Sequence, residues 1–119
     1  MKIQKLTKAE EDIMKMIWEH GPTTVSALID KMEGEKPPHS TVSSTIRILE
    51  KKGFLDHKTY GRTYEYFPTV EKEIYSKYSI KSLLSNYFEG SVNEMVSFLI
   101  KEEEVDVDEL KELINNIND

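Results

Sequence analysis

"HSTVSSTIRILEKKGFL", residues 39–55, runs on into "DHKTYGRTYEYFP", residues 56–68. At about 100° per residue, Val42, Ile46 and Leu49 fall on one face of a helix. Ser40, Ser43, Ser44, Arg47 and Lys51 fall on the opposite face. Gly53 stands where a helix ends on a positive φ. "FLDHKT" and "TYEYFP" are rich in aromatic and β-branched residues and alternate in part. With "YGR" between them, they read as a β-hairpin with Gly61 at its tip. A basic, hydroxyl-bearing helix followed at once by a basic hairpin is the segment around which the rest of the chain is read.

Upstream, "LTKAEEDIMKMIWEHG" (6–21) opens with Thr7 as N-cap and Glu10 at the capping-box spacing. Ile13, Met16, Ile17 and Trp18 supply its apolar stripe, and Gly21-Pro22 stops it. "TTVSALIDKM" (23–32) is a second, shorter helix capped by Thr24, with Val25, Leu28, Ile29 and Met32 as its stripe. "EGEKPP" (33–38) is a loop. Downstream of Val70 the helical pattern returns. Ile74, Tyr75, Tyr78, Leu83, Leu84, Tyr87 and Phe88 make a long amphipathic segment with room for a bend near Ser79, ended by Gly90. Val92, Met95, Val96 and Leu99 form another stripe, and Val107, Leu110, Leu113, Ile114 and Ile117 a last one. The expected fold is mainly α: a winged helix-turn-helix of three helices plus a β-hairpin wing over residues 1–69. A helical dimerisation region follows over 70–119. In such folds the third helix enters the DNA major groove and the wing touches backbone or minor groove.

The net charge of −6 over 119 residues is unevenly spread. Residues 1–69 hold 11 Lys and Arg against 10 Asp and Glu, whereas residues 70–119 hold 5 against 12. Within 36–64, Lys36, Arg47, Lys51, Lys52, Lys58 and Arg62 face only Glu50 and Asp56. A basic middle and an acidic tail fit a DNA-facing half and a half held off the duplex. The absence of cysteine removes disulfides, thiolate metal sites and thiol nucleophiles. No apolar run reaches the roughly 20 residues of a membrane span, and no signal pattern opens the chain. The expectation is a cytoplasmic protein without membrane insertion. No Gly-rich phosphate loop or zinc-spaced His and carboxylate motif appears. His20, His39 and His57 stand apart from carboxylates at ligand spacing. The expectation is therefore no enzyme, no cofactor and no metal.

Small hydroxyl side chains let a helix backbone approach base edges, and Ser and Thr can donate or accept there. Ser40, Ser43, Ser44, Arg47 and Lys51 are the expected recognition-helix contacts. Lys52, His57, Lys58 and Arg62 are the expected wing and backbone contacts, since cations there neutralise phosphates. Lys51 and Lys52 also lie where cations suit the helix dipole. In the tail, Tyr75, Tyr78, Tyr87, Phe88 and Phe98 read as a ligand pocket, as core, or as an interface. Three short helices bury little apolar area alone, and a two-fold partner would supply the missing surface. The expected homodimer interface comprises Ile74, Tyr78, Leu83, Leu84, Tyr87, Phe88, Met95, Leu99, Leu110, Leu113, Ile114 and Ile117.

"STVSSTIRILEKKGFLDHKTYGRTYEYFPTV" resembles the recognition helix and wing of the penicillinase repressor family, and "LTKAEEDIMKMIWEHGPTTVSALID" resembles its first two helices. The resemblance spans essentially the whole chain, more loosely in the tail. It implies a dimeric repressor on a palindromic double-stranded DNA operator, with base contacts near the start of the third helix at Ser40 and Thr41. In the β-lactam-resistance branch, lysine stands at the position of Ser40. There, a membrane sensor protease triggers cleavage between Asn and Phe. The matching bond is Ser97–Phe98, with serine in place of asparagine. The copper-responsive branch uses cysteines that this chain lacks. The expected function is sequence-specific transcriptional repression, relieved by cleavage in the C-terminal region after antibiotic or cell-wall signalling. Two readings of other classes stand beside it: a winged-helix protein-interaction module, and a regulator of the same fold that senses a small molecule.

Overall fold

Thr7 begins the ordered framework by closing a reciprocal cap. Its hydroxyl accepts from the Glu10 N–H at 3.2 Å, and the Glu10 carboxylate accepts from the Thr7 N–H at 3.0 Å. The computed structural model describes residues 3–102 and 106–118, without the side chains at 110, 113, 114 and 116–118. The elements are α1 (Lys8–His20), α2 (Val25–Asp30), α3 (His39–Lys51), β1 (Leu55–Tyr60), β2 (Thr63–Pro68), α4 (Lys72–Tyr87), α5 (Val92–Lys101) and α6 (Val107–Asn118). The order of three helices and a hairpin is the winged helix-turn-helix read from the sequence. Among the described residues no helix is long and apolar enough to cross a membrane. The chain divides between Lys77 and Tyr78 into two compact units.

In the first unit α1, α2 and α3 close on the hairpin. Val42, Ile46 and Leu49 are buried, as the helical period of α3 predicts. Leu28 is the fully buried residue of α2, while Val25, Ile29 and Met32 are only half-buried. In α1 the expected stripe needs correcting. Met14 is fully buried beside Ile13 and Ile17, whereas Met16 and Trp18 are half-buried. Phe54 precedes β1 and is sealed in the core, its N–H donating to the Leu49 carbonyl at 2.9 Å. Gly53, at φ 84°, makes the reversal that brings it there.

The hairpin strands pair antiparallel in register from Leu55 opposite Pro68 to Tyr60 opposite Thr63. Gly61 takes the first turn position at φ 63°, the conformation of a type II′ turn. The sequence reading missed a further strand contact. Thr23, in the link between α1 and α2, exchanges backbone hydrogen bonds with Tyr66 at 2.9 and 2.7 Å. This bridge fastens the first helical turnaround to the base of the wing.

The first unit continues past the hairpin. Trp18 Nε1 donates to the Val70 carbonyl at 2.9 Å, and the Leu6 N–H donates to the Tyr75 hydroxyl at 3.1 Å. Tyr75 is buried edge-on to Phe54, with ring centroids 5.4 Å apart. α4 runs unbroken through Ser79 and is not the amphipathic helix expected. Its apolar residues are spread around it, with Tyr75 and Leu84 buried and Ile74, Ile80, Leu83 and Tyr87 exposed. Tyr75 is drawn into the first unit's core, so the apolar residues of α4 answer to no single face.

In the second unit, Gly90 donates to the Leu84 carbonyl at 2.8 Å and Ser91 caps α5 through the Glu94 N–H at 3.1 Å. Phe88 and Phe98 meet with ring centroids 5.7 Å apart. Leu84 is the buried apolar residue there among those described.

Candidate nucleic-acid interface

The buried stripe of α3 fixes which of its side chains face outward. Ser40, Thr41, Ser44, Arg47 and Lys51 are exposed, and Ser43 is half-exposed. Thr45 donates its hydroxyl back to the Thr41 carbonyl at 3.0 Å, so that hydroxyl is spent within the helix. Pro38 caps α3 without a side-chain hydrogen bond; its carbonyl accepts from the Thr41 and Val42 N–H groups, which leaves those of His39 and Ser40 open to an acceptor from outside.

α3, the start of α2 and the wing enclose a cleft of about 470 Å³. Thr24, Ser26, His39, Ser43, Arg62 and Tyr64 line it. Residues distant in sequence thus meet around one concave surface rich in donors. The Thr24 hydroxyl itself accepts from the Ala27 N–H at 3.1 Å as the cap of α2, which holds that wall in place.

The cations read together in the sequence separate into two groups. Arg47, Lys51 and Arg62 are exposed and have no hydrogen bond or ion pair among the described residues. Lys58 is exposed too, its ammonium 5.8 Å from the centre of the Phe67 ring. Lys52 is committed elsewhere: its ammonium donates to Glu10 at 2.6 Å. Lys36 caps α2, donating to the Ile29 and Asp30 carbonyls at 3.2 and 2.9 Å. His57 is likewise engaged. Its Nδ1 pairs with the Glu50 carboxylate, and its ring stacks on Tyr64 at 4.4 Å. Lys52 and His57, expected as backbone contacts, are therefore placed as internal struts at the junction of α3 with α1 and with the wing.

Glu10 joins two of these elements. Burial pushes its carboxyl up, but the hydrogen bonds from Lys52 and Thr7 and the Lys52 charge outweigh burial and hold it below the usual carboxylate range. Tyr66, under the cleft, has its phenol pushed up, first by burial and then by the nearby Glu50 carboxylate and Tyr64, with Arg47 opposing. It stays a neutral hydroxyl at neutral pH.

The fold also unites residues that looked unrelated by spacing. His57 is not isolated from carboxylates: Glu50 and Asp56 lie beside it. The seven-residue separation of Glu50 and His57 hides this, because the chain reverses at Gly53 between them.

Of the expected interface residues, Tyr87 is 74% exposed, Ile74 and Leu83 are exposed, and Tyr78, Phe88, Met95 and Leu99 are half-buried. Leu84 is buried within its own chain. The side chains of Leu110, Leu113, Ile114 and Ile117 lie outside those the structure describes. Ser97 and Phe98 are exposed, and the bond between them lies inside α5.

The profile of the family described as penicillinase repressor matches residues 6–119. The penicillinase repressor of Bacillus licheniformis is 27% identical over 113 residues, covering 94% of this chain and 88% of that protein. The solution structure of the DNA-binding domain of the repressor BlaI superposes with a TM-score of 0.55 at 29% identity, covering 62% of this chain and 92% of that one. The Bacillus licheniformis BlaI monomeric form, solved in complex with the blaP half-operator, gives 0.52 at 29% identity with the same coverage.

Proposed function

The chain belongs to the penicillinase repressor family, and on that premise we propose that it is a winged-helix transcriptional repressor that binds double-stranded DNA. The observation that carries this reading is the set of uncompensated cations Arg47, Lys51, Lys58 and Arg62 on the outer faces of α3 and the wing. An exposed hydroxyl-rich helix beside them completes the pattern. Free cations on a fixed scaffold neutralise phosphates at little reorganisation cost. The open start of α3 adds donors for one more phosphate. Ser40, Thr41, Ser43 and Ser44 face the base edges, and Arg47 reaches a guanine edge or a phosphate. Lys52 and His57 act on DNA indirectly, by setting where α3 and the wing sit.

Residues 1–69 are assigned to DNA and 70–119 to dimerisation. Exposed Leu83 and Tyr87 are the surface that a second copy covers. A two-fold dimer reads a palindrome with half-sites about one helical turn, or a multiple of it, apart. Loss of the dimer leaves single half-sites, which hold far more weakly. Cleavage at Ser97–Phe98 by a sensor-triggered protease would relieve repression by that route. Since the bond lies within α5, that helix must open locally before the bond is cut.

The test is duplex-DNA binding, with the DNA upstream of the protein's own gene as probe, measured across salt. Arg47→Ala is expected to weaken a specific site most, by about 1–3 kcal/mol. Lys58→Ala and Arg62→Ala are expected to weaken all sequences alike and flatten the salt slope by about one each. A triple variant that binds like the parent would sink the docking geometry.

A further inference from the structure

We propose that Glu50, Asp56 and His57 form a binding site for a divalent cation of the zinc class at the root of the wing. One ligand atom from each residue lies within 4.8 Å of the other two. A single imidazole with two carboxylates suits a borderline ion such as Zn²⁺, whereas Mg²⁺ and Ca²⁺ call for oxygen alone. Three protein ligands leave a fourth tetrahedral position to water.

The ligands are held by structure outside the site. Glu50 sits in the last turn of α3 and is half-buried, as is His57 in β1. The His57 ring is clamped on Tyr64 at 4.4 Å with 25° between the planes, and its Nδ1 already faces the Glu50 carboxylate. The Asp56 carboxylate accepts from the His57 backbone N–H at 2.8 Å, which turns it toward the same point. Electrostatics also favours a cation. Among the described residues, neither Glu50 nor Asp56 pairs with a lysine or arginine, although this stretch is the most basic of the chain. Glu10, by contrast, takes Lys52 as its counter-charge. A bound ion would replace one hydrogen bond between α3 and β1 with metal bonds to both, stiffening the angle between recognition helix and wing.

This inference stands apart from the DNA-binding reading, so its test contains no DNA. The full chain, stripped with a chelator, is titrated with ZnCl₂ by calorimetry and with Co²⁺ by visible absorption. The expected result is one equivalent per chain and a higher melting temperature with zinc. His57→Gln, Glu50→Gln and Asp56→Asn should each weaken binding more than about tenfold, the lower bound for losing even an outer-shell partner. His20→Gln and His39→Gln, at exposed histidines outside the trio, should bind as the parent does. Asp56→Asn keeps an acceptor for the His57 N–H at an exposed position, so it decides the matter if the other ligand variants fail to fold. Absence of saturable one-to-one binding overturns the site. So does parent-like affinity in Asp56→Asn, or an equal loss in the His20 or His39 variant.

Discussion

The two compact units of this chain solve the problem of apolar surface in different ways. The first encloses its own core: Met14, Ile17, Leu28, Ile46 and Leu49 have no solvent exposure at all. The second leaves Leu83 at 44% and Tyr87 at 74% exposed and buries Leu84 among its described residues. A unit that completes its core by itself can present a rigid polar face. On the proposed reading, the exposed Leu83 and Tyr87 are what a second copy covers. The charge follows the same division: residues 1–77 hold 13 Lys and Arg against 12 Asp and Glu, whereas residues 78–119 hold 3 against 10.

The sharpest way to break this comparison is to delete a large apolar side chain from each unit. Phe54→Ala empties a sealed position against Tyr75 and should destabilise the first unit by about 3–5 kcal/mol. Urea unfolding followed by Trp18 fluorescence reads that loss, and a change under about 1 kcal/mol would show that the core is not closed as described. Tyr87→Ala removes a side chain that is mostly in water. Its helix content should stay intact while the proposed dimer weakens by about 1–2 kcal/mol, on the order of tenfold in dissociation constant. Sedimentation equilibrium that finds no change in association would take Tyr87 out of the interface.

A finer probe asks what binds α1 to the end of α3. Glu10 titrates below its ordinary value of 4.5 in the folded chain because Lys52 and Thr7 hold its ionised form. The stability this confers is complete above that ordinary value. It is lost as pH falls through the folded value, where the carboxylate takes up its proton. Glu10→Gln should remove this acid-labile part and lower stability at neutral pH by about 1–3 kcal/mol. Parallel pH profiles for parent and variant would mean the Glu10–Lys52 pair does not couple the two helices.

The smallest expected effect is at the wing tip. Gly61 stands at φ 63° with open space where a Cβ would go, so only backbone strain opposes a side chain. Gly61→Ala should destabilise by about 1 kcal/mol. Thermal melts should register this as a modest shift, with the hairpin amides losing hydrogen-exchange protection first. Unchanged protection across 55–68 would mean the turn does not need its left-handed residue.

Most of the fold was legible because local rules and tertiary packing agree. The Thr7 box, the Thr24 cap, the Val42–Ile46–Leu49 stripe and the Gly53 and Gly61 reversals are each written within a few residues of sequence. The candidate site was legible only by class. Sequence grouped six basic residues, but availability depends on partners far away in the chain, as Lys52 and Glu10 show at a separation of 42 positions. The Thr23–Tyr66 bridge had no signal, since two residues exchanging backbone bonds leave no pattern in side-chain hydropathy. The α4 stripe misled for a related reason. Period counting treats a helix as facing one core, and Tyr75 is claimed by another.

By itself the sequence determined the order of elements, the buried face of α3, the hairpin turn and the division of charge, because caps, glycines and apolar periods act over one or two turns of chain. Tertiary structure alone decided which cations are left without an ion pair among the described residues and which brace the frame. It also carried the first unit past the hairpin to Lys77 and brought Glu50, Asp56 and His57 together. Hydrogen bonds and ion pairs depend on distance in space, and that distance exists only once the reversal at Gly53 has folded the wing back against α3 and α3 has packed against α1.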